Sequence, residues 1–328
     1  MLNRLLIALA LCAFTASGQV VLPTTESAFE TQHNFNPAVI KAKGIKRIVF
    51  EILDKKDFEV AVDKSLTEVY EFNPNGKLSR FYFTTIVRTN ERQITRTDRS
   101  GHKHTQVVQE YVYDTVSTNY FYAANGNLVL KRYHDGLNYY ESRYYRYDSL
   151  GNLTKELRFK ETNNSPTKGI FILGNQVQLS EDSFQYKKFS SGQLRCIYLN
   201  NENRSYKEKV TNFDSLGHKI KEEESYTAAS WIRQENTFQY KGDKLISAQF
   251  EGNAHNKVML KNTYEYDEIN ELYSEKQYKN DLMLREISYV TNKADSLLNS
   301  IVIRDPINKT IRIVKLKYEF GLLSKVGQ

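Results

Sequence analysis

Crosslinks, prolines and apolar runs are scarce in this chain. Its 328 residues include two cysteines, Cys12 and Cys196, five prolines and a single tryptophan. The one long apolar run is Leu5 to Phe14, ten residues that are too few to span a bilayer as a helical anchor. Arg4 precedes it and Ala16-Ser17-Gly18 follows it, so Met1 to Gly18 reads as a secretory signal cut before Gln19. Leu11 is too bulky to precede a lipidated Cys12. The exported remainder then carries one cysteine, which excludes an internal disulfide. Its stability must come from its own core or from a long hydrogen-bonded sheet. No His-Glu-x-x-His, Gly-x-Ser-x-Gly, P-loop or Gly-x-Gly-x-x-Gly signature occurs, and no catalytic residue, cofactor or metal is expected. Block charge is also lacking. Losing Arg4 takes the net charge from +7 to +6, spread along the chain, and export argues against a nucleic-acid partner. Anionic polysaccharide, lipopolysaccharide and acidic headgroups stay open as electrostatic partners.

What the chain does have is a phrase that recurs. Tyr145-Arg146-Tyr147-Asp148-Ser149-Leu150-Gly151-Asn152-Leu153 is restated by Tyr70 to Leu78, Tyr120 to Leu128, Thr211 to Gly217 and Tyr264 to Leu272. Alternation with period two puts both rings on one face of a strand. Asp148-Ser149-Leu150-Gly151 fits a type I turn, with Asp bonding the backbone two residues on and Gly in the left-handed conformation of a bulge. Gly76, Gly126, Gly151 and Gly217 each lie four residues after the second aromatic, and Asn270 takes the same place in its copy, as a positive-φ position allows. Second aromatics at Tyr186, Phe213, Tyr240, Tyr266, Tyr289 and Tyr318 are 27, 27, 26, 23 and 29 residues apart, one hairpin per interval. The 23 tyrosines suit a sheet whose rings are half covered while their hydroxyls stay wet.

Upstream, Val20 to Thr31 reads as extended or loose. Asn36-Pro37 to Gly44 carries a cap, an N1 proline and a closing glycine, and predicts a short helix. Ile45 to Leu53 and Phe58 to Val62 read as the first hairpin. Glu161 to Lys168 is loop-like, and Gly174-Asn175 predicts a tight turn. The last hairpin, Leu298 to Arg304 and Thr310 to Phe320, is the most apolar and should be well buried. The expected organisation is a signal at 1–18, an N-terminal segment with a short helix at 19–44, and one all-β hairpin-repeat domain at 45–328. Roughly 18–22 strands exceed the size of an ordinary open sheet, which predicts a long coiled sheet in the form of a curved shell, an open barrel or a superhelical ribbon.

Several residues are candidates for a site. His102 and His104, with Asp98 or Glu110, could hold a metal on a strand face, against the simpler reading of a solvated face. Arg88, Arg92, Arg96 and Arg99 form the densest basic run and could clamp an anion from one face. Trp231 with Tyr226, and Tyr139-Tyr140 with Tyr144-Tyr145, are places for sugar stacking, because adjacent tyrosines point to opposite faces. Asp148, Asp214 and Asp267 recur at turn position one, where a structural bond accounts for them, and Cys196 reads as a small buried residue.

The frame aromatic-x-aromatic-Asp-x-x-Gly-x-Leu, carried best by Tyr145, Tyr147, Asp148, Gly151 and Leu153, then by Tyr70, Phe72, Asn73, Gly76 and Leu78, then by Tyr264, Tyr266, Asp267 and Leu272, resembles the YD repeats of the RHS family. Weaker copies extend the likeness from about Ile45 to the C-terminus. The resemblance implies an exported antiparallel β-ribbon that spirals into a shell, with carbohydrate binding sometimes ascribed to it. Its autoproteolytic Asp-Pro-x-Gly-type motif is not matched, since Asp305-Pro306 is followed by Ile307-Asn308. The style is that of small secreted proteins of Bacteroidetes-type bacteria. The functional expectation is a non-catalytic exported repeat protein offering a binding or scaffolding surface to a glycan or envelope protein. An outer-membrane β-barrel is the first alternative, weakened by charges on strands Leu153 to Lys160 and Lys219 to Tyr226 that would meet lipid. A polysaccharide-active enzyme is the second.

Overall fold

A computed structural model of the chain describes residues 19–321 apart from 31, 98, 99, 137, 138, 168, 169, 190, 191, 254, 255 and 293. Residues 1–18, read above as a signal, lie outside the described residues, as do Asp98 and Arg99. One short helix, α1 (Pro37–Ala42), precedes eighteen strands: β1 (Ile45–Lys56), β2 (Val62–Phe72), β3 (Leu78–Thr97), β4 (Lys103–Tyr122), β5 (Leu128–His134), β6 (Tyr140–Tyr147), β7 (Leu153–Asn163), β8 (Leu173–Phe189) and β9 (Gln193–Leu199). The second half holds β10 (Ser205–Phe213), β11 (Lys219–Tyr226), β12 (Ala229–Lys241), β13 (Lys244–Gly252), β14 (Val258–Tyr266), β15 (Leu272–Lys279), β16 (Leu282–Asn292), β17 (Leu297–Asp305) and β18 (Thr310–Phe320). Each strand pairs antiparallel with its sequence neighbours, and β1 also pairs with β18 along its length. The sheet therefore closes. The expected tandem hairpins are present, but they form a closed barrel rather than an open coil, shell or ribbon, because β18 finds its last partner in β1.

The repeat phrase explains one rim. Gly76, Gly126, Gly151, Gly217 and Asn270 occupy the reversals β2–β3, β4–β5, β6–β7, β10–β11 and β14–β15, with φ of 78°, 87°, 83°, 87° and 69°. The ladder shifts register at the second aromatic each time, as at Arg146/Tyr147 and Glu265/Tyr266. Asp148 Oδ1 accepts from the backbone N–H groups of Leu150 and Asn152, and Asp214 and Asp267 repeat the pattern. Since hairpins alternate in direction, all these turns share one end of the barrel.

The choice of tyrosine as second aromatic has a local cause. The hydroxyls of Tyr122, Tyr147, Tyr240, Tyr266 and Tyr318 donate to the carbonyls of Leu78, Leu128, Lys219, Leu245 and Leu298 at 2.6–3.1 Å. Each acceptor lies just past the preceding turn, so every clasp ties one hairpin to the last. Tyr147→Phe should lower stability by about 1 kcal/mol, the net worth of such a bond, and chemical denaturation would read it. Phe72 and Phe213 stand at the same position without this bond.

Inward and outward faces follow from the filling of the barrel. In β1, Ile48, Phe50 and Ile52 are buried, and Phe50 lies 6.4 Å from the ring of Phe35 in the N-terminal segment. Arg47, Val49 and Glu51 alternate with them and face outward. The segment read as loose is in fact packed, with Val20, Val21 and Ala28 no more than 4% exposed. It enters the barrel because its own apolar side chains have no other cover. Gly174 is a further correction. Gly174-Asn175 lies within β8 and makes no turn. The glycine is there for space, since a Cβ would come within 2.4–2.7 Å of side-chain atoms of Asn164 and Thr162. The first hairpin also differs, as its second strand starts at Val62 and Phe58 is fully exposed in the turn.

Candidate functional site in the barrel lumen

Barrels of this strand number enclose space that wall side chains alone do not fill. Here the lumen has two unlike halves. Along β13 to β18 and β1 to β3, the N-terminal segment occupies it. Gln19 clamps the backbone of Leu272 from both sides, Nε2 to the carbonyl at 2.8 Å and Oε1 from the N–H at 2.6 Å. Asn262 Nδ2 donates to the carbonyl of Ala28, Lys219 reaches Glu26 at 2.8 Å, and Lys43 donates to the carbonyl of Asp295 at 2.7 Å. Rings complete the seal: Phe35 is 4.7 Å from Tyr70, and Phe29 is 6.1 Å from Phe250. These contacts cluster at the repeat rim, so the segment plugs that end on one side.

Cavities remain beside the plug, one of about 220 Å³ lined in part by His33, Glu275 and Tyr289. Burial pushes the Glu275 carboxyl above its ordinary value, although Gln277 and Tyr289 donate to it at 2.8 and 2.9 Å. Burial also lowers His33 to about 4. The imidazole borders two cavities, which leaves part of its surface reachable although protein surrounds it closely. Between pH 6.5 and about 4 the unfolded chain takes up a proton there that the folded chain refuses. The contribution of neutral His33 is thus complete above pH 6.5 and lost as pH falls. Relative to His33→Gln, the natural chain should lose up to about 2 kcal/mol between pH 7 and pH 5, read by denaturation of both proteins at each pH. Glu275 works in the opposite sense, since its raised pKa favours folding as acid is added.

The half along β5 to β12 is polar, and the N-terminal segment meets its wall at the rim, where Lys219 pairs with Glu26. Lys207 and Lys209 on β10 face Glu222 and Glu224 on β11, with Lys209 Nζ 3.1 and 3.0 Å from the two carboxylates and Lys207 Nζ 3.2 Å from Glu224. Burial works against the Lys209 charge, but Tyr198, Glu222 and Glu224 outweigh it and hold its pKa above the ordinary value. Burial pushes Tyr198 up to about 12, and the Lys207 ammonium sits 4.0 Å from its ring centroid. Across the same wall, Arg158 grips both oxygens of Glu141 at 2.6 and 2.7 Å and holds that carboxyl down to about 2. The Tyr206 hydroxyl donates to Asp182 at 2.9 Å. This wall is wet, because Tyr186 is 37% exposed and the side chains of Arg143 and Arg158 are 44% and 41% exposed while pointing inward. Buried Cys196 faces the Tyr186 ring, and burial raises its thiol pKa.

The outer wall is charged as well. Register places Arg195–Glu208 (2.5 Å), Lys221–Glu235 (3.0 Å), Lys276–Glu265 (2.9 Å) and Lys317–Glu51 (2.5 Å) on the outward face, in mid-strand. A lipid-facing wall needs an apolar band about 25 Å tall, and each charge at its middle costs about 2–4 kcal/mol. The two strands singled out from sequence divide on this point. In β11, Lys221 and Glu223 do face outward, but in β7 the charges of Glu156, Arg158 and Lys160 face the lumen, leaving Lys155, Leu157 and Phe159 outside.

The sequence candidates are scattered. Tyr139 faces the lumen and donates to Glu141 at 2.8 Å, whereas Tyr140 faces outward, stacked 4.2 Å from His134 and 4.8 Å from Phe171. Tyr144 also faces outward, bonded at 2.7 Å to Glu161, a buried carboxylate that Arg132, Ser142 and Gln176 contact too. Trp231 is 68% exposed near the start of β12, at the rim opposite the repeat turns, far along the chain from either tyrosine pair. Arg88, Arg92 and Arg96 lie on the long β3–β4 hairpin. Among the described residues no group of three or more His, Cys, Asp or Glu could hold a metal. The lumen wall of Lys207, Lys209, Glu222 and Glu224 was missed. Its signal was present as lysines and glutamates two apart on successive strands, each set sharing one face.

No protein-family model matches the chain, and no curated protein matches it. Among solved structures it is similar to a porin-like protein from Bacteroides uniformis ATCC 8492, with 12% identity, 84% of this chain and 97% of that chain covered, and a TM-score of 0.36. It is also similar to a chain of the TcdB2-TccC3-Cdc42 structure, with 12% identity and a TM-score of 0.23, covering 84% of this chain and 16% of that one. A structure of TcdB2-TccC3 without its hypervariable C-terminal region has 8% identity and a TM-score of 0.11, covering 78% and 21%. Among the described residues no helix is long and apolar enough to cross a membrane, which says nothing of strands.

Proposed function

We propose that this protein is an exported, half-plugged β-barrel that holds a polar ligand, a glycan by preference, against the open tyrosine and ion-pair wall of its lumen. The observation that carries this reading is the contrast between the two halves. One is filled by the chain's own N-terminal segment. The other is left wet and lined by Tyr186, Tyr198 and Tyr206 beside paired charges. Tyrosine faces stack on sugar rings and paired charges offer fixed donors and acceptors, so the wall suits a hydroxyl-rich chain, neutral or charged, more than an apolar molecule. The role is binding or containment without catalysis. The YD-like repeat is then the building unit of the container.

A second reading, an outer-membrane barrel, is favoured by closure into eighteen strands with a polar interior. The charged outer wall speaks against contact with lipid. Vesicle flotation separates the two: the exported chain should stay at the bottom of the gradient with no detergent present, and insertion into lipid with protection from protease would establish the second reading instead. An oligosaccharide panel tests the first. Binding should fall when Tyr198 and Tyr206 are both changed to alanine, and a panel on which neither protein binds anything would refute it.

A further inference from the structure

The β3–β4 hairpin continues beyond its neighbours. β2 pairs with β3 only as far as Phe83, and β5 pairs with β4 only from Ser117. The remainder is a two-stranded arm that rises about 40 Å from the rim opposite the repeat turns. A bulge between Ile86 and Arg88, with Val87 as the extra residue, inverts the parity of β3. Before it, Arg80 and Tyr82 face outward. After it, Arg88, Arg92 and Arg96 lie opposite Val112, Val108 and His104, on the face that leads down β4 to Thr118 and Tyr120 in the lumen. Without the bulge all three would point away from the opening. They share that face with two carboxylates of β4, Glu110 opposite Asn90 and Asp114 opposite Thr85 at the foot of the arm.

Some cationic side chains of the barrel wall meet a carboxylate across the ladder, as Arg143 meets Glu156 and Arg195 meets Glu208. Arg88, Arg92 and Arg96 make no ion pair or hydrogen bond among the described residues and are exposed. At four-residue steps on a strand they stand about 13 Å apart. We infer that the arm binds an extended acidic polysaccharide along this arginine row and leads it to the mouth of the open half-lumen. The spacing suits a charge repeated along an unbranched polymer. Among the described residues Val112, 39% exposed, is the one exposed large apolar side chain on this face, too little to seat in a bilayer, and the guanidinium groups match carboxylate or sulfate oxygens. This inference deepens the lumen reading by naming a ligand class, and it rests on that reading only for the destination of the polymer.

The test is binding of the exported chain to immobilised alginate and to dextran sulfate, with uncharged dextran and phosphatidylglycerol vesicles as comparisons. The natural chain should bind both polyanions, more weakly as salt is raised. The triple variant Arg88→Ser/Arg92→Ser/Arg96→Ser should lose tenfold or more in affinity, while the triple lysine variant keeps most of it. All three positions are exposed, so an unchanged circular dichroism melt will show that the variants fold. Absence of polyanion binding by the natural chain, equal binding by the serine variant, or a loss confined to the vesicles would each overturn the inference. Polyanion binding that needs the arginines but ignores Tyr198→Ala/Tyr206→Ala would keep the arm and refute the lumen reading.

Discussion

Replacing Gly76 by alanine should destabilise the protein by about 3 kcal/mol or more, against about 1 kcal/mol for the same change at Gly151. Both glycines sit at repeat turns with positive φ, 78° and 83°, so both substitutions carry the cost of a left-handed L-residue. The surroundings differ. A Cβ on Gly151 meets nothing within 4 Å, whereas one on Gly76 would lie 2.0 Å from the carbonyl oxygen of Pro37 and 3.0 Å from the backbone N of Lys41. Those are main-chain atoms of α1, which cannot swing aside as a side chain can, so overpacking adds its own cost. The change should also unseat the plug, which makes limited proteolysis between Val20 and Gly44 faster in Gly76→Ala and unaltered in Gly151→Ala. Equal stabilities for the two variants would mean that the helix does not rest on this turn.

Phe50→Ala should cost about 3–5 kcal/mol, the range for truncating a buried aromatic. Phe50 is 1% exposed, and its ring lies 5.0 Å from Tyr70, 5.3 Å from His33 and 6.4 Å from Phe35. It thus joins β1, β2 and the N-terminal segment where the sheet closes. An exposed large residue makes the control: Leu150→Ala, at a repeat turn and 85% exposed, should change stability by less than about 0.5 kcal/mol. Urea denaturation of the three proteins, compared at constant m, measures both values.

The local architecture was legible because each hairpin carries its own instructions. Asp148 bonding two backbone N–H groups, Gly151 with positive φ and Tyr147 on the bulge are all nearest-neighbour events, and the spacing of four residues exposes them. Closure was not legible. β1 meets β18 across the whole chain, and nothing in a repeating hairpin says whether its two ends will come together. Face assignment failed for a related reason. Lys155, Glu156, Arg158 and Lys160 place charge at both parities of β7, so the inner set is known only once a filled interior defines a side. Likewise Val20 and Val21 looked like a loose leader because the surface that buries them belongs to strands more than two hundred residues away, as the clamp of Gln19 on Leu272 illustrates. In the arm, Arg88, Arg92 and Arg96 share one parity of β3, and a single bulged residue decides which way that face looks.

Closure is also what creates a lumen, and one crosslink tests it. Val49 and Lys317 face each other across the β1–β18 ladder, within the reach of directly opposed strand residues. In a Cys196→Ser background, Val49→Cys/Lys317→Cys should oxidise to an intramolecular disulfide in the folded chain, with no free thiol by mass spectrometry. Two free thiols under the same oxidising conditions, or a disulfide found only between molecules, would mean that the first and last strands do not meet and that there is no enclosed wall for a ligand.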